Sequence, residues 1–226
     1  MYLVTETARP FALERWAAFF ANFGQFAKGF FYTLGISIGA LIVALLLGLI
    51  FGAMSSTHNK VLRGISRVYV EIFQNTPLLV QFVVVFYGIS ILTDGHVMIP
   101  ISLTAILCVG VYTGAYISEI IRTGIEAVPN LSQGFTYADT MRIIILPQAV
   151  RTILPPLTNQ VVNLIKNTST VAIISGADIM FTAKAWAYDT TNYVPAFAGA
   201  AFLYFIMCFP LATWARRKEE ENKKAY

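Results

Sequence analysis

The chain has 226 residues, 57% of them hydrophobic and only 12% charged, with a formal net charge of +4. Soluble domains carry about 25% charge, so this composition excludes a soluble globular protein and places the chain in a lipid bilayer. A crossing takes about 20 apolar residues, which predicts one all-α polytopic domain with five transmembrane helices and no room for a second folded unit.

Residues 1–29 lack the charged start, apolar core and small-residue cleavage site of a removable signal peptide. Instead Phe11, Trp16, Phe19, Phe20, Phe23, Phe26 and Phe30 recur at near-helical spacing. That pattern fits a helix lying in the membrane interface, and equally an aromatic lead into the first span. The first span is expected over Phe31–Met54, with Gly35-x3-Gly39 and Gly48-x3-Gly52. Such spacings let a second helix approach closely, although a glycine-rich span also produces them by chance. His58 falls in a polar loop with Lys60, Arg63 and Arg67 and reads as a solvated side chain.

A second span is expected over Val68–Leu92, kinked at Pro77 within Gln74-Asn75-Thr76-Pro77. Proline removes a backbone donor, so the kink should point into the protein. A short loop, Thr93–Met98, leads to a third span over Ile99–Ile121 with Gly110-x3-Gly114. After a central loop at about 122–151, a fourth span covers Thr152–Ser175. A polar connection carrying Asp178, Lys184, Trp186 and Asp189 precedes a fifth span over Val194–Trp214. Residues 30–217 thus form a single transmembrane domain, and 218–226 a charged tail. No internal repeat is seen, which removes the best pointer to an inverted-repeat carrier. Cys108 and Cys208 sit in apolar runs and read as packing residues.

Orientation follows from Lys and Arg in alternate loops. Eleven lie in the loop after span one, the central loop and the tail, against four on the opposite side. The N-terminus is expected outside, the C-terminus and central loop in the cytosol. The positive charge is accounted for by this asymmetry and gives no reason to expect nucleic acid.

No catalytic residues and no metal site are expected, since GxxxxGK[ST], HExxH and CxxC are all absent from the sequence. Uphill transport would draw its energy from a partner or an ion gradient. The informative polar feature is Asn159, Asn163, Lys166, Asn167 and Thr170 in span four. Their spacing places all five on one helix face. A stripe with a lysine is costly against lipid, so it lines a substrate path or glues helices together; Lys166 lies too far from either end of its span to snorkel easily. Glu71 and Asn75 in span two are further pathway candidates. For Glu71 and Glu119, salt bridges to Arg67 and Arg122 are the competing structural reading.

Four stretches carry a resemblance. They are Glu71–Gln81 (EIFQNTPLLVQ), Ala115–Ile125 (AYISEIIRTGI), Ser132–Pro156 (SQGFTYADTMRIIILPQAVRTILPP) and Leu157–Ser169 (LTNQVVNLIKNTS). From about Gly29 to Arg217 the chain resembles the permease subunits of polar amino-acid ABC importers (histidine, glutamine and arginine types). The resemblance implies the type I ABC-importer permease fold in a bacterial inner membrane. Its implied partners are two cytosolic ABC ATPase subunits, a second permease copy or similar chain, an extracytoplasmic solute-binding protein and an amino-acid substrate. No cofactor is bound by such a chain, since ATP is used by the ATPase. The resemblance also makes the central loop an ATPase-coupling element, with Gly134 at a sharp turn, Phe135 and Tyr137 as docking anchors, and Pro147 at the return into the membrane.

One part of the loop departs from the family. The Glu-Ala-Ala three residues before the glycine is replaced by Val128-Pro129-Asn130, and the loop is about six residues short, or roughly 9 Å if helical. Weakened coupling is the expectation. Two other function classes stand beside the importer reading: an ion-coupled carrier or channel acting alone, and an uncoupled membrane scaffold.

Overall fold

The computed structural model describes residues 11–128, 143 and 145–224, and those residues are helical with short breaks. An amphipathic helix α1 (Leu13–Ala21) stops at Asn22, whose side chain donates to Ala18 O and leads into α2 (Phe23–Ser55). Helix α2 starts eight residues before the expected span because the aromatic lead continues the same helix. Asn59 caps α3 (Lys60–Asn75), its side-chain oxygen accepting from Val61 N at 2.9 Å and Leu62 N at 3.3 Å.

At Thr76-Pro77 the chain breaks rather than kinks. Thr76 is extended, as a residue before proline prefers, and α3 meets the next helical segment at 100°. That segment is α4 (Leu78–Val83), a π turn over Val84–Gly88, and α5 (Ile89–Leu92). Pro77 has no N–H for the carbonyl of Phe73. Gln81 substitutes for it: Nε2 donates to Phe73 O at 3.2 Å, Thr76 O at 3.1 Å and Thr76 Oγ1 at 2.8 Å. Thr76 Oγ1 in turn donates to Ile72 O at 2.8 Å. Gln81→Leu leaves those carbonyls without a donor and should lower stability by about 1–3 kcal/mol, read as a drop in thermal unfolding temperature in detergent.

Helix α6 (Ile101–Glu126) packs along α2. A Cβ on Gly48 would lie 2.7 Å from Ile117 Cβ, and one on Gly110 would lie 2.7 Å from Val43 Cβ and 3.1 Å from Ala40 O. Glycine there is required by backbone proximity. Gly35, from an identical spacing, faces nothing within 4 Å, so only one of the two α2 glycine pairs wholly serves this seam.

Helix α7 (Leu146–Asn167) accommodates Pro155 and Pro156, then tightens into a 3-10 segment (Thr168–Ile174) ending at left-handed Ser175. The connection expected to be irregular contains a helix, α8 (Ile179–Thr190), and α9 (Tyr193–Lys224) continues the last span through most of the charged tail. One core cluster joins α2, α4, α6, α7 and the 3-10 segment; another joins α1, α2, α8 and α9 around Phe26 and Trp186. In the second, Phe19 from α1 occupies the notch over Gly199 and stacks edge-on with Phe26 and Trp186.

Among the described residues, three helices (α2, α6 and the Tyr193–Glu221 part of α9) are long and apolar enough to cross a membrane, four if the bent α3–α5 stretch is one span. By length and composition the described helices thus account for three or four of the five expected crossings. Helix α7 falls outside the apolar class because Asn159, Gln160, Asn163, Lys166 and Asn167 interrupt its hydrophobic positions.

Candidate substrate path and coupling surface

The stripe on α7 is presented outward at two of its five positions. Thr158, Leu164 and Ile165 are buried against the rest of the chain, whereas Asn159 and Lys166 are exposed and Asn163, Asn167 and Thr170 half-buried. The 3-10 turn carries Thr170, so the simple 3.6-residue repeat that places it on the stripe stops at Asn167. Among the described residues none of the five side chains hydrogen-bonds to another helix, so within this chain they do not act as glue. Lys166 instead lines a cavity of about 280 Å³ with Ser169, Met180, Phe197, Ala200 and Tyr204, between α7, α8 and α9.

Glu71 and Asn75 lie elsewhere. Glu71 pairs with Arg67 at 2.8 Å on an exposed face of α3, and Asn75 Nδ2 donates to Glu71 O at 2.8 Å. Glu119 is held by Arg122, with Nε to Oε2 at 3.0 Å, and Arg122 also reaches Glu126 at 2.5 Å. Both carboxylates therefore have the arginine partners weighed as the structural alternative. The fold brings Glu71, Glu119, Arg122 and Glu126 to one cavity of about 570 Å³, and Lys166 is not among its lining residues.

Gly134, Phe135 and Tyr137 lie outside the described residues, as does the Pro129–Gln133 stretch. Pro147 sits in the first turn of α7, where its missing N–H has no intrahelical partner to lose. Among the described residues no cluster of three His, Cys, Asp or Glu offers a metal site.

Sequence reasoning treated Asp178 as an ordinary loop residue, but with its neighbour Ile179 it ties three elements together. Fully buried, it caps α8 by accepting from Phe181 N at 2.9 Å and Met180 N at 3.2 Å, and it accepts from Tyr204 OH of α9 at 3.1 Å. Next to it Ile179 N donates to Thr33 Oγ1 of α2 at 3.1 Å. The signal was present as Asp-x-x-Phe ahead of an apolar run; it was hidden by the polar residues on the exposed side of α8. Desolvation pushes Asp178 up from 3.8 to about 6, against the pull of its hydrogen bonds. The folded state then binds the proton more tightly than the unfolded one, so this group's contribution to stability is lost as pH rises through that interval. Asp178→Asn keeps a capping oxygen and should flatten that part of the stability profile, a change of roughly 3 kcal/mol between pH 4 and 7 in thermal unfolding.

The chain is a polytopic helical membrane protein with polar residues exposed on one helix and a cavity lined by charged side chains. The family model described as "Binding-protein-dependent transport system inner membrane component" matches residues 44–219, and the chain belongs to that family. It is 34% identical over 216 residues to the probable glutamine ABC transporter permease protein GlnM of Bacillus subtilis (strain 168), covering 92% of this chain and 97% of that one. It is 31% identical over 208 residues to the glutamate/aspartate import permease protein GltJ of Escherichia coli (strain K12), covering 81% and 85%. A crystal structure of an amino acid ABC transporter with histidines superposes with a TM-score of 0.84 at 28% identity, over 91% of this chain and 98% of that one. The inward-facing MetNI methionine ABC transporter shares the fold, with a TM-score of 0.68 at 14% identity. The chain is a multi-pass inner-membrane permease subunit of an ATP-driven ABC importer. As in the permeases it matches, ATP hydrolysis belongs to a separate subunit.

Proposed function

We propose that this permease carries a polar or charged amino acid inward, with the α7 stripe of Asn159, Asn163, Lys166, Asn167 and Thr170 lining the path against a second permease copy. The observation that carries the reading is the exposure of Asn159 and Lys166 on that stripe. Amides and an ammonium group set between the apolar elements of a membrane protein are costly against lipid, and in this chain they have no hydrogen-bonding partner on another described helix. Facing a second copy or a similar chain, they border a water-accessible seam where an ammonium and several amides suit a zwitterion. On this reading α7 with its 3-10 extension is the fifth crossing, polar because protein rather than lipid surrounds it. Glu71 and Asn75 stand lower on the same route, toward the cytosol. The N-terminus lies outside and the C-terminus in the cytosol, as the Lys and Arg asymmetry requires.

The importer is completed by two cytosolic ABC ATPase subunits and an extracytoplasmic solute-binding protein. The loop through Gly134, Phe135, Tyr137 and Pro147 receives the ATPase stroke. The named substrates of the relatives, glutamine, glutamate and aspartate, set the first candidates. The test is uptake of radiolabelled glutamine, glutamate and aspartate into proteoliposomes holding the permease, ATPase and binding protein. Accumulation that needs ATP and all three components is the expected result. Uptake by the permease alone would replace this reading with an ion-coupled carrier or channel.

The shortened loop gives a second expectation. Inserting about six residues before Gly134, enough for roughly 9 Å of helix, should raise the ratio of solute moved to ATP hydrolysed. An unchanged ratio would overturn the idea that the short loop weakens coupling.

A further inference from the structure

We propose that the cavity of about 570 Å³ between α3 and the end of α6 is a release-side binding site for a zwitterionic amino acid, separate from the α7 stripe. The inference rests on the orientation and substrate class given above.

The lining is divided by sign. On α3, Lys60, Arg63 and Arg67 fall at i, i+3 and i+7 and so share one helix face. Arg67 is engaged by Glu71, but Lys60 and Arg63 make no ion pair among the described residues. The first two turns of α3 therefore present surplus positive charge to the cavity. On α6 the balance is reversed, because the single guanidinium of Arg122 is shared by the carboxylates of Glu119 and Glu126. That wall keeps a surplus negative charge. The α3 wall also carries Gly64, Ser66, Val70 and Gln74, Ser55 at the end of α2 completes the lining, and a Cβ at Gly64 would meet nothing within 4 Å. An amino acid complements both ends, its carboxylate toward Lys60 and Arg63 and its ammonium toward Glu119 and Glu126. A ligand carrying only phosphate would find three carboxylates in the same lining. The cavity volume leaves room for a side chain and water beside the zwitterionic head.

The position suggests a consequence for transport. A site at the cytosolic edge, filled when the internal amino acid is abundant, slows release and so limits accumulation.

The experiment is calorimetric titration of the purified full chain in phosphatidylcholine nanodiscs with L-glutamine, L-glutamate and L-aspartate. The double variant Lys60→Gln/Arg63→Gln should weaken binding of the bound amino acid at least about tenfold, and Lys184→Gln, a change of exposed charge on α8, should leave it unaltered. The unfolding temperature of each variant shows that the fold is retained. Inorganic phosphate and nanodiscs containing phosphatidylethanolamine are the competing probes. Affinity unchanged in the double variant, or displacement of the amino acid by either competitor, overturns the site. ATP-driven uptake by the unmodified assembly is measured in parallel: its absence sinks the importer reading, whereas uptake with no effect of the double variant on binding sinks this site alone.

Discussion

Lys166→Met is expected to reduce the initial rate of ATP-driven uptake by about ten- to a hundredfold while the permease still assembles with its partners. Lys166 is the single cation of the α7 stripe and is exposed from its own chain, where it borders the cavity with Tyr204 and Met180. Methionine keeps the length and most of the apolar stem and deletes the charge. A hydrogen bond to a charged group contributes about 1.5–3 kcal/mol, which sets the size of the expected loss at 1.4 kcal/mol per factor of ten. Lys166 also lies in the last turn of α7, where a cation complements the helix carbonyl end. Lys166→Arg separates the two roles. It preserves the end-of-helix charge but changes the shape offered to a carboxylate, so a stability role predicts full recovery and a path role predicts partial recovery with a shifted KM. Assembly is read by size-exclusion chromatography, and wild-type kinetics in Lys166→Met would overturn the path.

The second large effect concerns the α2–α6 seam. Gly110→Ala should lower stability by about 1–3 kcal/mol, the cost of forcing an extra methyl into a packed interior. Its Cβ would lie 2.7 Å from Val43 Cβ and 3.1 Å from Ala40 O, and a carbonyl in the middle of α2 cannot rotate aside. Gly35→Ala has nothing within 4 Å and should be neutral or slightly stabilising, because alanine favours helix. The pair is checked by thermal unfolding in one detergent. Equal shifts would show that glycine acts on both sites through helix propensity rather than through contact.

The same pair shows what can be read from a sequence. Gly35-x3-Gly39, Gly48-x3-Gly52 and Gly110-x3-Gly114 are indistinguishable as patterns, and close approach depends on which residues a second helix, distant in the chain, places opposite. The break at Pro77 was legible as proline, but Gln81 as the replacement donor was not, since a four-residue separation does not say which carbonyl a side chain reaches. Asp178 was passed over for a related reason: its partner Tyr204 lies 26 residues away in sequence, and Thr33, reached by the adjacent Ile179 N–H, lies 146 residues from that donor.

The membrane class, the approximate places of the apolar runs, the sidedness expected from Lys and Arg, and the importer resemblance came from the sequence by itself. Each depends on composition or local order, which hydrophobic burial and backbone chemistry convert directly into helices and breaks. Tertiary structure decided the 100° turn between α3 and α4, the helical identity of 179–190, and the placement of Glu71 and Lys166 in two separate cavities. It also left Asn159 and Lys166 of the α7 stripe exposed and the other three half-buried. The reason is that the direction a helix face takes depends on what packs behind it: burial of Thr158, Leu164 and Ile165 leaves Asn159 and Lys166 outward.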